Sequence, residues 1–448
     1  MKGRTMEELM VKIRDCSAVV GIVGLGYVGL PLAMAFAEKF RVYGYDLDQS
    51  TITNLQKGIS HIQDVPDDIV SKSIGTSLFP TGNPEDLVTC DFIIICVPTP
   101  LTEDRIPDLS YIKSACTTIA GILRKNHFVI LESTTYPGTS EEVVVPILEE
   151  SGLSAVKDFG VAYSPERIDP GNKNFTIRQI PKVVGGINES CTEIAAALYE
   201  CIVQNVVRVC DTKTAESVKM VENIFRNVNI ALVNEIALIF ERMGIDTWEV
   251  IDAAATKPYG FMPFYPGPGI GGHCIPLDPY YMSYKAKKHG FIPRFIETSG
   301  EINEFMKMHV VNLADCGLMQ VGKRLYGGKI AIMGLAYKKN INDPRESPSI
   351  KIIEEFVNLG AEVRVYDPFV TSLATKAGIF TSVGSIEEAL TGVDCAVFLV
   401  DHDVFRKISL ETVKRLMSSP VIVDGKNLFE DREGVVYLGI GKGNDVVR

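Results

Sequence analysis

Apolar residues in this chain come in short, nearly unbroken runs, each followed by a glycine- or proline-bearing turn. The run at 18–23 (AVVGIV) leads into GLGYVG, a helical pattern from 28 to about 39, and then RVYGY, which Asp46 closes. CDFIIICVPTP and HFVILESTTYP continue the series, each ending in Pro, Ser or Thr. Runs without polar alternation predict parallel strands covered on both faces. The order returns near the C-terminus. GGKIAIMGLAYK is a strand and turn, 348–359 a helix, AEVRVYDP a strand ending in Asp367, and VDCAVFLVDH and PVIVDGKN further strands. Between the two series, 212–258 keeps helical spacing with no proline or glycine before Gly244, which predicts a long helix and a shorter second one. The charged segment 1–17 reads as an amphipathic leading helix.

The first turn carries G-x-G-x-x-G at Gly24, Gly26 and Gly29, in full strand–turn–helix context. The first glycine permits the tight turn, and the second lets a pyrophosphate approach the backbone at a helix N-terminus. The third lets the helix pack closely on the strand. Asp46 can accept both ribose hydroxyls and would repel a 2'-phosphate, so the expected cofactor is NAD rather than NADP. The alternative is a packing cluster of glycines beside a turn aspartate. The second series lacks the GxGxxG turn, so a second dinucleotide site is not expected there. The fold class predicted is α/β: two Rossmann-like doubly wound domains joined by a central long-helix region. A helix that long and apolar is hard to bury between two small domains, so part of it is expected to form a dimer interface.

Composition narrows the function. A chain of 448 residues calls for two or three domains, and 46% hydrophobic with 23% charged residues is that of a globular enzyme. The net charge of -11 argues against nucleic acid as partner, since a phosphate backbone needs a basic face. Ten cysteines lie scattered with no CxxC pair, as suits reduced thiols, and Cys90, Cys96, Cys201 and Cys395 sit in apolar runs as expected core. No signal peptide is visible and no apolar stretch approaches the roughly 20 residues of a membrane span, so the expected location is cytoplasmic.

Chemistry concentrates around PGPGIGGHCIPLDPYY, 266–281. His273 and Cys274 are adjacent, their side chains diverge, and no second CxxC or HxxxH supplies further ligands, which argues against zinc. The density of glycine and proline argues against a plain core thiol, because such a loop is shaped for close approach. A nucleophile is the remaining reading, conditional on a nearby group that favours thiolate. Asp278 would lie close to Cys274 if CIPLD leads into a helical turn; a cap or turn carboxylate is its alternative. Lys219 and Asn223, four apart on the long helix, share one face, with a solvated edge as the equal alternative. Thr135 and Glu166 come from the strand-end loops ESTTYPG and YSPERIDPG, where Glu166 is either a general base or a loop charge. His273 is badly placed to serve as base for its own neighbour, so structural support is expected of it.

Seven motifs in order resemble the UDP-glucose/GDP-mannose dehydrogenase family from about residue 16 to the end: GIVGLGYVGLPLA, CVPTPL, ESTTYPGT, SPERIDPG, KMVENIFRNVNIALVNE, GPGIGGHCIPLDPYY and LAYKKNINDPRESPS. The resemblance implies an NAD-dependent, four-electron oxidoreductase with an NAD domain (1–210), a helical dimerising centre with the cysteine loop (211–315) and a UDP-sugar domain (316–448). It implies that Lys219 and Asp278 hold a water that assists oxidation of the sugar C6 alcohol. Cys274 then carries a thiohemiacetal and a thioester, which Glu166 as base and Thr135 as water-positioning residue help to hydrolyse, with Lys219 and Asn223 stabilising the oxyanion. Implied cofactor contacts are Gly24, Gly26, Tyr27, Val28, Gly29, Asp46, Pro98, Thr99, Thr135 and Arg345. Implied nucleotide-sugar contacts are Glu166, Arg167, Lys219, Asn223, the 265–271 loop with Tyr265, Gly267, Gly269 and Gly271, then Tyr337, Lys338 and Lys426. Lys426 stands where many relatives carry Arg. GGHCIPLD, with Arg167 and Ile168 after the glutamate, departs from members acting on UDP-glucose and resembles the branch for N-acetylated hexosamines. That branch implies UDP-GlcNAc first, with UDP-ManNAc and then UDP-glucose as alternatives, and a homodimer. Arg167 is the suggested partner of the acetamido group, and His273 a marker of the branch.

Overall fold

In the computed structural model, which describes residues 3–62 (side chains from residue 7), 64–102, 104–168, 175–272, 274–430 and 432–443, the apolar runs become the strands of two sheets. His273 and residues 169–171 of the SPERIDPG motif lie outside the described residues. The first sheet contains β1 (Val19–Val23), β2 (Arg41–Tyr45), β3 (Leu78–Thr81), β4 (Phe92–Ile95), β5 (Phe128–Leu131), β6 (Gly160–Tyr163), β7 (Lys182–Gly186) and β8 (Val206–Arg208). Their order is β3-β2-β1-β4-β5-β6-β7-β8. The strands from β3 across to β6 are parallel; β7 runs antiparallel to β6, and β8 follows β7. Every residue of β4, β5 and β6 is buried. Successive side chains point to opposite faces, so both faces of these strands are covered, as the unbroken apolar runs predict.

Register fixes where the strands stop. Val23 pairs with Tyr45 and Ile95, Ile95 with Leu131, and Leu131 with Tyr163. The next residues, Gly24, Asp46, Cys96, Glu132 and Ser164, therefore leave the sheet along one carboxyl edge, where open α/β sheets bind ligands. The reversed β7 does the opposite and starts at that edge.

The second sheet contains β9 (Lys329–Met333), β10 (Glu362–Tyr366), β13 (Cys395–Phe398), β14 (Val421–Asp424) and β15 (Val436–Gly439) in the order β10-β9-β13-β14-β15, all parallel. A separate hairpin, β11 (Ser372–Thr375) with β12 (Gly378–Thr381), follows β10. Both sheets start their order to the left and right of the first strand, so each has a switch point there. The expected helices are present: Gly3–Arg14, Gly29–Ala37, Thr212–Met243, Thr247–Ala255 and Pro348–Asn358. Thr212–Met243 would span about 48 Å. A further helix, Arg294–Gln320, was not visible from the sequence patterns above. Cys90, Cys96 and Cys395 are buried, and Cys201 is half-buried.

The chain divides into two compact units, Met1–Glu222 with Tyr280–Phe291, and Asn223–Pro279 with Ile292–Arg448. Each has its own apolar core. In the first, Ile22, Phe36, Phe92, Phe128, Ile130 and Tyr199 pack together. In the second, Ile330, Ile332, Ile353, Phe356 and Val397 pack with Val310 and Leu318 of Arg294–Gln320.

The acid after the second strand of each series is used differently. Asp46, half-buried, accepts from the Leu25 amide (2.8 Å) and the Asp48 amide (2.9 Å). Asp367 is buried and accepts from the amides of Leu335 (2.6 Å), Ala336 (3.0 Å), Phe369 (2.8 Å) and Val370 (3.0 Å). His402 adds a contact from Nε2 to Oδ2 at 3.1 Å. The Asn340 amide donates to Nδ1, so Nε2 carries the proton it gives to Asp367. Burial would raise the Asp367 carboxyl, but His402 and the turn amides hold it below the usual carboxylate range.

Candidate active site

The glycine turn fits a dinucleotide. Gly24 has φ +93°, and a Cβ there would meet the Cys96 carbonyl oxygen at 2.7 Å; a Cβ on Gly29 would lie 1.8 Å from the Gly24 carbonyl oxygen. Side chains are therefore excluded at both ends of the turn. Gly26, in contrast, has nothing within 4 Å of its missing Cβ, which leaves open space beside the backbone. Val28 at the N-cap makes no side-chain hydrogen bond to the helix Gly29–Ala37. Turn amides, an open cradle and a half-buried Asp46 make a set of donors and acceptors suited to a pyrophosphate and a ribose. Tyr27 and Pro98 are exposed, and the Thr99 carbonyl accepts from the Tyr281 hydroxyl at 2.6 Å. Thr135 is buried, its hydroxyl 2.5 Å from that of Thr139.

Along the same edge stands a buried ionic cluster. Glu166 accepts from the amides of Arg167 and Ile168, both at 2.6 Å, and from Lys182 Nζ at 2.8 Å. Lys182 also donates to Glu132 at 2.9 Å, and the Tyr199 hydroxyl donates to the other Glu132 oxygen. Burial alone would raise the Glu166 carboxyl, but the Lys182 ammonium, the Ile168 amide and the Lys219 charge hold it below its ordinary value. Lys219, from the helix Thr212–Met243, donates to Thr134 Oγ1 at 2.6 Å. One turn earlier, buried Glu216 accepts from the amides of Gly138 (2.5 Å) and Ser140 (2.8 Å), so one helix holds the STTYPG loop at two points. Burial pushes the Glu216 carboxyl up to about 7. Arg167 is committed to Glu222, at 2.6 Å and 3.2 Å, and to the Pro181 carbonyl at 2.8 Å.

The cysteine loop belongs to the second unit. Cys274 is exposed, and its carbonyl accepts from the amides of Leu277 (3.2 Å) and Asp278 (2.8 Å), the helical turn that opens Asp278–Lys288. Asp278 is buried and accepts from Asn223 Nδ2 at 2.6 Å. One turn along the long helix, Asn227 donates to the Ile275 carbonyl at 3.1 Å. Ser299 donates to Asn227, Asn303 donates to the Asn227 carbonyl, Asn234 donates to Asn303, and the Gly267 amide donates to Asn234. This ladder of buried amides fixes both ends of the glycine-rich loop. Its sequence signal was an asparagine recurring at 223, 227 and 234 among apolar residues, a helical stripe that sequence reasoning took up only at its first member.

A cavity of about 160 Å³ opens at the carboxyl edge of β9, β13 and β14, the switch point of the second sheet. Gly269, Tyr337, Lys338 and Lys426 line it, together with Ser347, Pro348 and Ser349 at the start of the helix Pro348–Asn358. Two lysines and a helix N-terminus suit a diphosphate. Ser347, Pro348 and Ser349 of the ESPS segment enter the cavity wall, a role that nothing in the spacing of that segment signals. A Cβ on Gly271 would lie 2.7 Å from the Tyr337 Cβ, and one on Gly267 would meet Lys426 Nζ at 3.1 Å, so the loop needs its glycines to lie against these side chains. Burial lowers the Lys426 ammonium pKa, opposed by Asp401 and Asp424. Tyr265 turns elsewhere: its ring stacks on Trp248 at 5.2 Å and its hydroxyl donates to Asp252 at 2.7 Å. Arg345 forks onto Asp343 at 2.8 Å and 2.6 Å. Among the described residues no group of three or more His, Cys, Asp or Glu could hold a metal ion, and no helix is long and apolar enough to cross a membrane.

Three sequence models of the UDP-glucose/GDP-mannose dehydrogenase family match the chain: the NAD binding domain at residues 18–203, the central domain at 213–305 and the UDP binding domain at 331–431. The chain is 39% identical to the UDP-N-acetyl-D-glucosamine 6-dehydrogenase of Pseudomonas aeruginosa, over 94% of this chain and 99% of that protein. It is 35% identical to the UDP-N-acetyl-D-mannosamine dehydrogenase of Pyrococcus horikoshii, over 95% and 99%. The solved structure of the UDP-D-ManNAc dehydrogenase from Pyrococcus horikoshii superposes with a TM-score of 0.88 at 35% identity, covering 95% of this chain and 99% of that one. A UDP-glucose dehydrogenase from Pyrobaculum islandicum superposes with a TM-score of 0.84 at 26% identity, covering 95% and 98%.

Proposed function

The chain belongs to the UDP-glucose/GDP-mannose dehydrogenase family of NAD-dependent UDP-sugar oxidoreductases, and we propose that it oxidises the C6 alcohol of a UDP-N-acetylhexosamine, UDP-GlcNAc foremost, to the uronic acid. The observation that carries the chemistry is Cys274. It is exposed at the turn that opens a helix, its carbonyl accepting from the Asp278 amide, and a helix N-terminus is an environment that favours thiolate. NAD supplies the hydride acceptor for each of the two oxidations. Lys219 and Asp278 hold the water that receives the proton of the C6 hydroxyl. Cys274 Sγ adds to the resulting aldehyde carbon, and Lys219 and Asn223 stabilise the oxygen of the thiohemiacetal. After the second oxidation, water adds to the thioester carbon, Glu166 takes a proton from that water, and the C–S bond breaks to release the acid and the thiolate. Thr135 positions the water. In this scheme residues 1–210 serve the cofactor, 211–315 the cysteine loop and assembly, and 316–448 the UDP moiety.

Sequence similarity favours an N-acetylated sugar: the relatives at 39% and 35% identity are named for UDP-GlcNAc and UDP-ManNAc, whereas the one named for UDP-glucose is 26% identical, which leaves UDP-ManNAc as the second candidate. Assayed side by side with UDP-ManNAc, UDP-GalNAc and UDP-glucose, UDP-GlcNAc is expected to give the highest kcat/KM and two NADH per sugar. One NADH per sugar would sink the four-electron mechanism, and a higher kcat/KM for another sugar would reassign the substrate.

The protein is further proposed to work as a homodimer. Phe225, Leu232, Ile239 and Met243 lie exposed along the long helix at i, i+7, i+14 and i+18, an apolar stripe. Phe225, Leu232, Ile236 and Phe240 line a groove of about 580 Å³ with Phe261 and Met262. Sedimentation equilibrium is expected to give twice 49.2 kDa, and Leu232→Asp to shift the species toward one chain. A monomer at micromolar concentration would remove this assignment. A cytoplasmic location accords with the scattered cysteines, and cell fractionation tests it.

A further inference from the structure

We infer that Lys182 and Glu132 are positioning residues for Glu166, Lys182 keeping it ionised and aimed and Glu132 sharing and anchoring that lysine, a role that rests on Glu166 being the base of thioester hydrolysis. The topology brings them together. β7 pairs antiparallel with β6, Tyr163 opposite Gly185 and Ala162 opposite Gly186. Continued along the strands, that register sets Lys182 opposite Glu166, and the measured contact is 2.8 Å. Glu132 arrives from the end of the neighbouring β5. A solvated lysine and two unrelated loop acids become one buried cluster only because the sheet reverses there.

The cluster holds two carboxylates and one ammonium, almost fully out of water: side-chain exposure is 6% for Lys182, 0% for Glu132 and 7% for Glu166. One cation cannot fully compensate two buried anions, so the environment must divide them. Glu166 takes two backbone amides on Oε1 and the lysine on Oε2. Glu132 takes the same lysine and the Tyr199 hydroxyl, and Lys182 also lies 5.3 Å from the Tyr199 ring centroid. Burial, reinforced by the Glu166 charge, pushes Glu132 up against the pull of Lys182, whereas Glu166 is held down. The two carboxyls compete for one cation, and Glu166, which also takes two backbone amides, is the one held as the better-stabilised anion. Other titratable groups that bear on Glu166 are Lys219 from the long helix and Cys96 after β4, while Arg167 meets it through the backbone amide and sends its guanidinium to Glu222.

The test follows decay of the enzyme-bound thioester against pH, in single-turnover experiments on the full chain with NAD and UDP-GlcNAc, quenched and read by intact mass. In Lys182→Met the carboxylates lose their cation, so the acid limb of thioester decay is expected to move up by about one pH unit or more, a tenfold slowing at a pH on that limb. Lys182→Arg should restore most of the limb. In Glu132→Gln, Lys182 is left to Glu166 alone, so the limb is expected to move down, with slower decay at its plateau from a weaker base. Opposite shifts from the two variants are the signature, since a purely structural role would lower the whole profile without moving its limb. Should Lys182→Met fail to fold, the near-isosteric Glu132→Gln decides alone: a downward shift supports the assignment and an unmoved limb overturns it. Glu166→Gln separates the two levels. If it keeps wild-type decay, the base assignment itself fails; if it loses the limb while the other variants leave theirs unmoved, only the inference on Lys182 and Glu132 fails.

Discussion

Serine in place of Cys274 is expected to lower formation of the uronic acid by about a thousandfold or more. A thiol near pKa 8.5 has a usable thiolate fraction at neutral pH, whereas an alcohol has almost none. The change removes one polarisable atom from an exposed position, and Cys274 does not line the cavity between β9, β13 and β14. Affinity for the UDP-sugar should therefore stay within about threefold of wild type, so the loss falls on kcat. An oxygen ester is harder to hydrolyse than a thioester. Prolonged incubation of Cys274→Ser with NAD and sugar is thus expected to leave a covalent adduct visible by intact mass, absent from Cys274→Ala. Wild-type turnover in the serine variant would exclude the covalent mechanism outright.

The second large effect concerns the glycine turn. In Gly29→Ala the new methyl would begin 1.8 Å from the Gly24 carbonyl oxygen and 2.9 Å from its carbon. Both atoms are backbone, so no side chain can swing aside; the helix Gly29–Ala37 must move away from β1. That helix is almost wholly buried, and shifting it disturbs the core of the first unit. Overpacking of this kind costs about 1–3 kcal/mol or more, a fall of roughly 3–10 °C in the unfolding midpoint. Loss of the turn geometry is expected to weaken NAD binding by about a hundredfold. Gly26→Ala provides the contrast. Nothing lies within 4 Å of its Cβ, so its midpoint should hold while NAD affinity drops. Calorimetric NAD titrations and thermal melts of both variants check the pair. If Gly29→Ala bound NAD like wild type, the turn would not be the pyrophosphate site.

The parts of this molecule legible in the sequence are those specified locally. Strands β1, β4 and β5 announce themselves by runs of apolar residues, and the turn at Gly24 by spacing that few other structures require. The CIPLD turn could be anticipated because the bond from the Asp278 amide to the Cys274 carbonyl spans four residues. Lys182 could not be found that way. In PKVVGG it looks like any strand-end lysine, and only the antiparallel pairing of β7 with β6 buries it between Glu132 and Glu166. Arg294–Gln320 was recoverable: Met306, Val310, Leu313, Ala314 and Leu318 are buried at helical spacing, but Gly300 and Gly317 interrupt the pattern. The hairpin β11–β12 has short, mostly exposed strands with little apolar signal.

Asp46 and Asp367 close equivalent strands, yet they would answer an engineer differently. Grafting a glycine-rich turn after β9 would not create a ribose site there. The Asp367 carboxylate already serves four amides and His402, and every donor released to make room for a sugar would need a new acceptor inside the protein. Asp46 serves two amides and keeps acceptor capacity in reserve. Redesign of coenzyme preference therefore belongs at Asp46, whereas library diversity at Asp367 would chiefly yield unfolded clones.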